Sequence, residues 1–233
     1  MKEKAINIIK FIITIIMFFF FSRMLGMFFR WIGIQPTMFD AKDYGYVDTL
    51  LELIYAVVIY LLYSKNMNKD FADTKNSFKT FINRVLKYFA VFFVLKIGSA
   101  IVTSIVGFAI GAEIGESENQ NMIIKITESA PLMMIISSVI LAPIVEEGIF
   151  RLGLRKVISN DYLFIVLSGL IFGLMHIFPT DLSLSVALTY GITYVTMGIY
   201  LAYIYVDTDN IWINIIIHAL NNLISMLAII TMT

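Results

Sequence analysis

The residues of this chain that could do chemistry are few, and they lie in its second half. Glu146 and Glu147 stand side by side in the stretch IVEEGIFRLGLRK (residues 144–156), at the end of a long apolar run, with Arg151 on the next turn. Ionisable groups at such depth cost several kcal/mol unless they are paired or face water. Glu147 and Arg151 are four apart, the spacing at which an acid and a following base meet on a helix, so they can neutralise one another. Glu146 lies about 100° around the same helix and five residues from Arg151, and this leaves it available. The plainer alternative is that both acids mark a cytoplasmic helix end, with Arg151, Arg155 and Lys156 obeying the positive-inside rule.

The chain has two histidines, His176 and His218, and both fall in apolar segments. Phe172 precedes His176 by one helical turn on the same face, where its ring could hold the imidazole in a fixed orientation. Asn222 follows His218 by four residues and projects from the same face. A lone membrane histidine is commonly a packing residue. A pair of them, each with a same-face partner and near a paired carboxylate, favours a functional reading.

These side chains allow a limited chemistry. A carboxylate can act as general base on a water molecule, and an imidazole beside it can orient that water and shuttle the proton. A second histidine and an asparagine amide can donate hydrogen bonds to the oxyanion that forms when a carbonyl is attacked. Together they form a hydrolase constellation with no Ser or Cys nucleophile in it.

The elements that must position these groups are membrane helices. Of 233 residues, 59% are hydrophobic and 15% charged, and the mean hydropathy is +0.86, outside the range of soluble globular domains. There is no cysteine, which excludes disulfides, thiolate metal sites and Cys nucleophiles. The net charge is zero and the basic residues are scattered through short loops, so nothing supports nucleic-acid binding. Richness in Ile, Phe, Lys and Asn points to an AT-rich bacterial genome.

A span needs roughly 20 mainly apolar residues, and about seven segments qualify: 8–29, 46–64, 85–111, 131–154, 160–179, 183–206 and 211–231. The first lacks a small-x-small cleavage site and reads as an uncleaved span. Lys2, Lys4 and Lys10, and then Lys65, Lys69, Lys75, Lys79 and Arg84, place the amino terminus and the loop after the second span in the cytoplasm. The acidic 112–130 loop, with Glu113, Glu116, Glu118 and Glu128 against Lys125, falls outside, and Arg155 and Lys156 return inside. Arg23 and Arg30 are a mild exception, and the loop DTDN at 207–210 carries no bias. Residues 68–81 read as a polar cytoplasmic loop with an amphipathic tail. Ser137, Ser138, Ser168, Gly169 and Thr193 read as small residues that let helices approach, and Glu52 and Lys96 as structural groups able to snorkel. The expectation is an all-α polytopic bundle forming one integral domain in a multi-pass cell-membrane protein.

At its chemical residues the chain resembles the CPBP intramembrane protease family (CAAX protease and bacteriocin-processing, or Abi, proteins). Its signatures EExxxR, FxxxH and HxxxN read here as Glu146-Glu147-Gly-Ile-Phe-Arg151, Phe172-Gly-Leu-Met-His176 and His218-Ala-Leu-Asn-Asn222. The resemblance covers 130–231, which divides the chain into N-terminal spans with their cytoplasmic loop (1–129) and a catalytic helical core (130–233). It implies that Glu146 and His176 activate water, that His218 and Asn222 form an oxyanion hole, and that Glu147, Arg151 and Phe172 support them. It also implies a membrane-associated peptide or protein as substrate, of CAAX or bacteriocin and pheromone type. Zinc is the alternative to a metal-free glutamate mechanism, with Glu146, His176 and His218 as ligands, but no HExxH compels it, and no cofactor is expected.

Two other functions compete with an endopeptidase: a non-catalytic immunity or scaffold protein, and a proton-coupled transporter, which also uses membrane Glu and His but would carry inverted repeats. One tension is internal to the spans. Glu146 lies toward the cytoplasmic end of its helix, while His176 lies about 24 Å along the next, nearer the opposite face. Convergence therefore calls for a turn or re-entry over 150–160, which is tolerated where the backbone is buried or lines a cavity.

Overall fold

In a computed structural model the described residues are 2–34, 39–111, 118–177 and 184–232, and they contain helices and no strand. The helices are α1 (Lys2–Trp31), α2 (Ala41–Asn76), α3 (Phe78–Ala109), α4 (Glu118–Ser129), α5 (Pro131–Val157), α6 (Asp161–Ile177), α7 (Leu184–Thr208) and α8 (Ile211–Met232). Five of these, α2, α3, α5, α7 and α8, are long and apolar enough to cross a membrane, and α6 is a shorter apolar helix. The protein is thus an all-α polytopic membrane bundle, and five of the described helices have the length and composition of a span. Large apolar side chains on the exterior, such as Leu61, Val94, Ile105 and Phe108, are exposed, as lipid-facing residues are.

Two expected loops are helical. Residues 68–76 continue α2, and Ser77 alone separates it from α3. The reason is tertiary: Asp70 is buried, its carboxylate accepts the Ile211 N–H at 3.0 Å, its carbonyl accepts Asn210 Nδ2–H at 3.0 Å, and the Thr74 hydroxyl donates to the same carbonyl. A segment anchored on residues 210–211 gains nothing by unwinding into water. In the acidic 112–130 segment, Glu113 and Glu116 and the side chain of Glu118 lie outside the described residues. From Glu118 to Ser129 the chain is a helix that turns Ile126 and Thr127 inward. The side chain of Arg23 and the span ends at 178–183 also lie outside the described residues.

The chain divides into two compact units, each drawing on both halves of the sequence: Met1–Met67, Met122–Val157 and His218–Thr233 form one, and Asn68–Asn121 with Ile158–Ile217 form the other. In the first unit α5 is the inner helix, with 44% of its apolar window buried against 22% for α2. It is not a regular α-helix. Residues 136–141 and 148–153 are π-helical, a wider turn that is often found at functional sites. The upstream π turn leads directly into Pro143, which has no N–H to donate four residues back and whose ring crowds the carbonyl there. Around the downstream turn every residue from Gly148 to Leu154 is buried. Gly148 and Gly153 let α5 sit against Ile59, Tyr63 and Phe11, and Phe150 meets Phe18 edge-on at 5.9 Å. The expected turn over 150–160 is therefore confined to 158–160; from 148 to 157 the chain stays helical.

In the second unit α6 and α7 pack backbone to backbone. A Cβ on Gly169 would lie 2.7 Å from the Ile199 nitrogen, and one on Gly198 would lie 2.9 Å from the Gly169 carbonyl oxygen. Gly169 therefore does serve close packing. Thr193 does more than pack, since its hydroxyl pairs with that of Thr103 on α3 at 3.0 Å.

Candidate active site

The α-helical turn Ala142–Glu147, between the two π segments of α5, carries the acidic pair. The Glu147 and Arg151 side chains are both 0% exposed, with Arg151 Nε 3.1 Å from Glu147 Oε2, the ion pair expected from their spacing. Glu147 has a second partner that spacing does not reveal. His218 on α8 donates Nδ1–H to Glu147 Oε1 at 2.9 Å, because a carboxylate pairing with Arg151 offers only lone pairs. Arg151, Glu147 and His218 thus form a continuous buried chain that fixes the imidazole and turns Nε2 the other way.

On that side stands Glu146. Its Oε2 lies 3.8 Å from His218 Nε2, too far for a hydrogen bond, and this oxygen is buried with no hydrogen-bond partner. Of the two acids, Glu147 is consumed on both oxygens and Glu146 keeps an oxygen available to accept a proton. Asn222, one turn beyond His218, donates one Nδ2–H to the Ser138 carbonyl at 2.8 Å and accepts from Asn221 Nδ2 at 3.0 Å. An amide nitrogen has two hydrogens, so this anchoring orients the group and leaves a second N–H. Glu146, Glu147, Arg151, His218 and Asn222 are all in the first unit.

His176 belongs to the second unit, where it has its own setting. Its Nδ1 lies 2.8 Å from the Phe172 carbonyl, and the Phe172 ring is 4.5 Å away. The expected aromatic partner is there, and its backbone contributes as well.

Two further carboxylates of the first unit, Asp48 and Glu52, lie on α2. Glu52 on α2, which reads from the sequence as a structural, snorkelling residue, has its Oε2 buried in the first unit without a hydrogen-bond partner. Asp48, one turn before it, accepts the Ser137 hydroxyl at 2.9 Å, which gives Ser137 a polar task as well as a packing one. The available signal was the four-residue spacing of Asp48 and Glu52, which sets both carboxylates on one face of an apolar helix.

Among the described residues no three His, Asp or Glu side chains are grouped as ligands for a metal ion.

Fold and site together define a class: an all-α multi-pass membrane protein with a buried guanidinium–carboxylate–imidazole chain beside a second carboxylate. The family model of the type II CAAX prenyl endopeptidases, Rce1-like, matches residues 128–224, an interval that contains all three motifs. The candidate membrane peptidase YdiL of Bacillus subtilis is 31% identical over 199 residues, which cover 83% of this chain and 76% of that one. No solved structure matches. The chain belongs to the CPBP family of membrane proteases.

Proposed function

We propose that this protein is an intramembrane endopeptidase that cleaves a membrane-associated protein or peptide, of CAAX or bacteriocin and pheromone type, by metal-free attack of water. Glu146 takes a proton from water as the water oxygen bonds to the scissile carbonyl carbon, with His176 orienting the water and relaying the proton. The carbonyl electron pair moves onto oxygen. That oxyanion accepts hydrogen bonds from the Asn222 amide and from His218, whose Nδ1–H is already given to Glu147 and whose imidazolium form carries a second N–H at Nε2. When the oxyanion collapses, the C–N bond breaks and the proton passes to the leaving amine. The amino terminus lies in the cytoplasm in this reading, supported by Lys2, Lys4 and Lys10 and by the basic residues between 65 and 84, and the source is bacterial.

The observation that carries the proposal is the contrast between the neighbouring acids: Glu147 is engaged by Arg151 and His218, while Glu146 keeps a buried oxygen without a hydrogen bond. The roles of His176 and of the oxyanion donors rest on the resemblance of the three motifs. Membrane-peptide profiles of cells carrying wild type and Glu146→Gln test the whole. An uncut peptide that accumulates only with the variant names the substrate, and identical profiles with equal protein levels refute the reading.

A further inference from the structure

We infer that Tyr194, a residue outside all three motifs, is a positioning residue for His176, and that it holds the imidazole in the tautomer that leaves Nε2 as the proton acceptor. The inference rests on the protease reading for the meaning of His176 and on geometry within the second unit for everything else.

The geometry starts with two glycines. Gly173, one turn before His176, lets α6 approach α7 so closely that a Cβ there would lie 2.9 Å from the Val195 nitrogen and Cα. Gly191, one turn before Tyr194, faces Ile177 in the same manner, with a Cβ position 3.2 Å from its side chain. This approach brings the Tyr194 ring onto His176, the two stacked at 4.6 Å between centroids with planes 20° apart. Phe172 is at 4.5 Å and 40°.

The tautomer follows from the hydrogen bond. The Phe172 carbonyl can only accept, so His176 Nδ1 carries the hydrogen of that 2.8 Å contact, and in the neutral ring the lone pair is then at Nε2. One hydrogen bond alone lets the imidazole swing about its Cβ–Cγ bond. A nearly parallel ring in contact with its face blocks that swing, because rotation would drive the imidazole edge into the tyrosine π-system. Offset stacking of the two rings also favours this arrangement. Tyr194 is 39% exposed, so truncating it removes the clamp without opening a cavity in the core.

The chain's two histidines make the test direct. Full-length protein in detergent, labelled with ¹³C,¹⁵N-histidine, gives two imidazole spin systems, assigned with His218→Gln. Wild type and Tyr194→Phe are expected to show His176 as a single tautomer protonated at Nδ1, and Tyr194→Ala to show nitrogen shifts averaged between tautomers, with the His218 signals unmoved. With a farnesylated CAAX reporter peptide, Tyr194→Ala is expected to lower kcat by about ten- to a hundredfold, to leave KM within about twofold, and to be rescued by Tyr194→Phe. If Tyr194→Ala keeps the wild-type tautomer, or if Tyr194→Phe is as impaired as Tyr194→Ala, the inference is overturned. Wild type that fails to cleave the reporter while the tautomer shifts as described would sink the protease reading of this substrate and leave the clamp standing.

Discussion

Replacing Glu147 by glutamine tests the buried chain at its centre. Glu147 and Arg151 are both 0% exposed, and the carboxylate serves Arg151 with one oxygen and His218 with the other. Glutamine keeps the shape but has one acceptor oxygen and an NH₂ group. With its oxygen on Arg151 the amide no longer neutralises the buried guanidinium, and its NH₂ can meet His218 only if the imidazole gives up its Nδ1 hydrogen. Removing one partner of a buried ion pair costs about 3–5 kcal/mol. For a chain of this size each kcal/mol is worth about 2–4 °C in Tm, so Glu147→Gln in detergent is expected to melt about 6–20 °C below wild type. The double variant Glu147→Met with Arg151→Leu removes both charges, and replacing a whole buried pair by apolar residues is often neutral or stabilising. It is expected to recover most of the loss, leaving only the unmet His218 Nδ1–H at about 1–3 kcal/mol. A Glu147→Gln protein that melts within about 1 kcal/mol of wild type, or a double variant worse than the single one, would refute the claim that Glu147 bridges two partners in the interior.

The other expectations concern packing, anchoring and metal. Gly169→Ala forces a methyl group against the Ile199 backbone and is expected to cost about 1–3 kcal/mol, read as a lowered Tm; an unchanged Tm would show that α6 and α7 do not approach as described. Asp70→Ala removes the acceptor for the Ile211 N–H at the start of α8 and should cost about 1 kcal/mol, as the loss of a helix cap does. Glu52→Met removes a buried carboxyl oxygen without a hydrogen bond and is expected to stabilise by about 1 kcal/mol, with no rise in Tm counting against the described environment. Cleavage is expected to survive a zinc chelator, as a water activated by a glutamate base requires; activity lost to the chelator and restored by zinc would overturn the metal-free mechanism.

The sequence by itself determined the solvent and the chemistry. Apolar runs of membrane length specify helices, since a backbone in hydrocarbon must satisfy its own hydrogen bonds. Spacings of four residues placed Glu147 on Arg151 and Phe172 on His176, because partners one turn apart meet in any helix. What spacing cannot express is which helix lies against which. That His218 reaches across to Glu147, that Asn222 is anchored on the Ser138 carbonyl, and that Tyr194 covers His176 are contacts between residues 71, 84 and 18 positions apart, decided by which helices pack together and, for Tyr194, by how close the glycines of α6 and α7 let those helices come. The same holds for residues 68–76, polar enough to read as a loop and kept helical because Asp70 and Thr74 find partners at 210–211. Local periodicity dictates the faces of a helix, and only packing settles what each face meets.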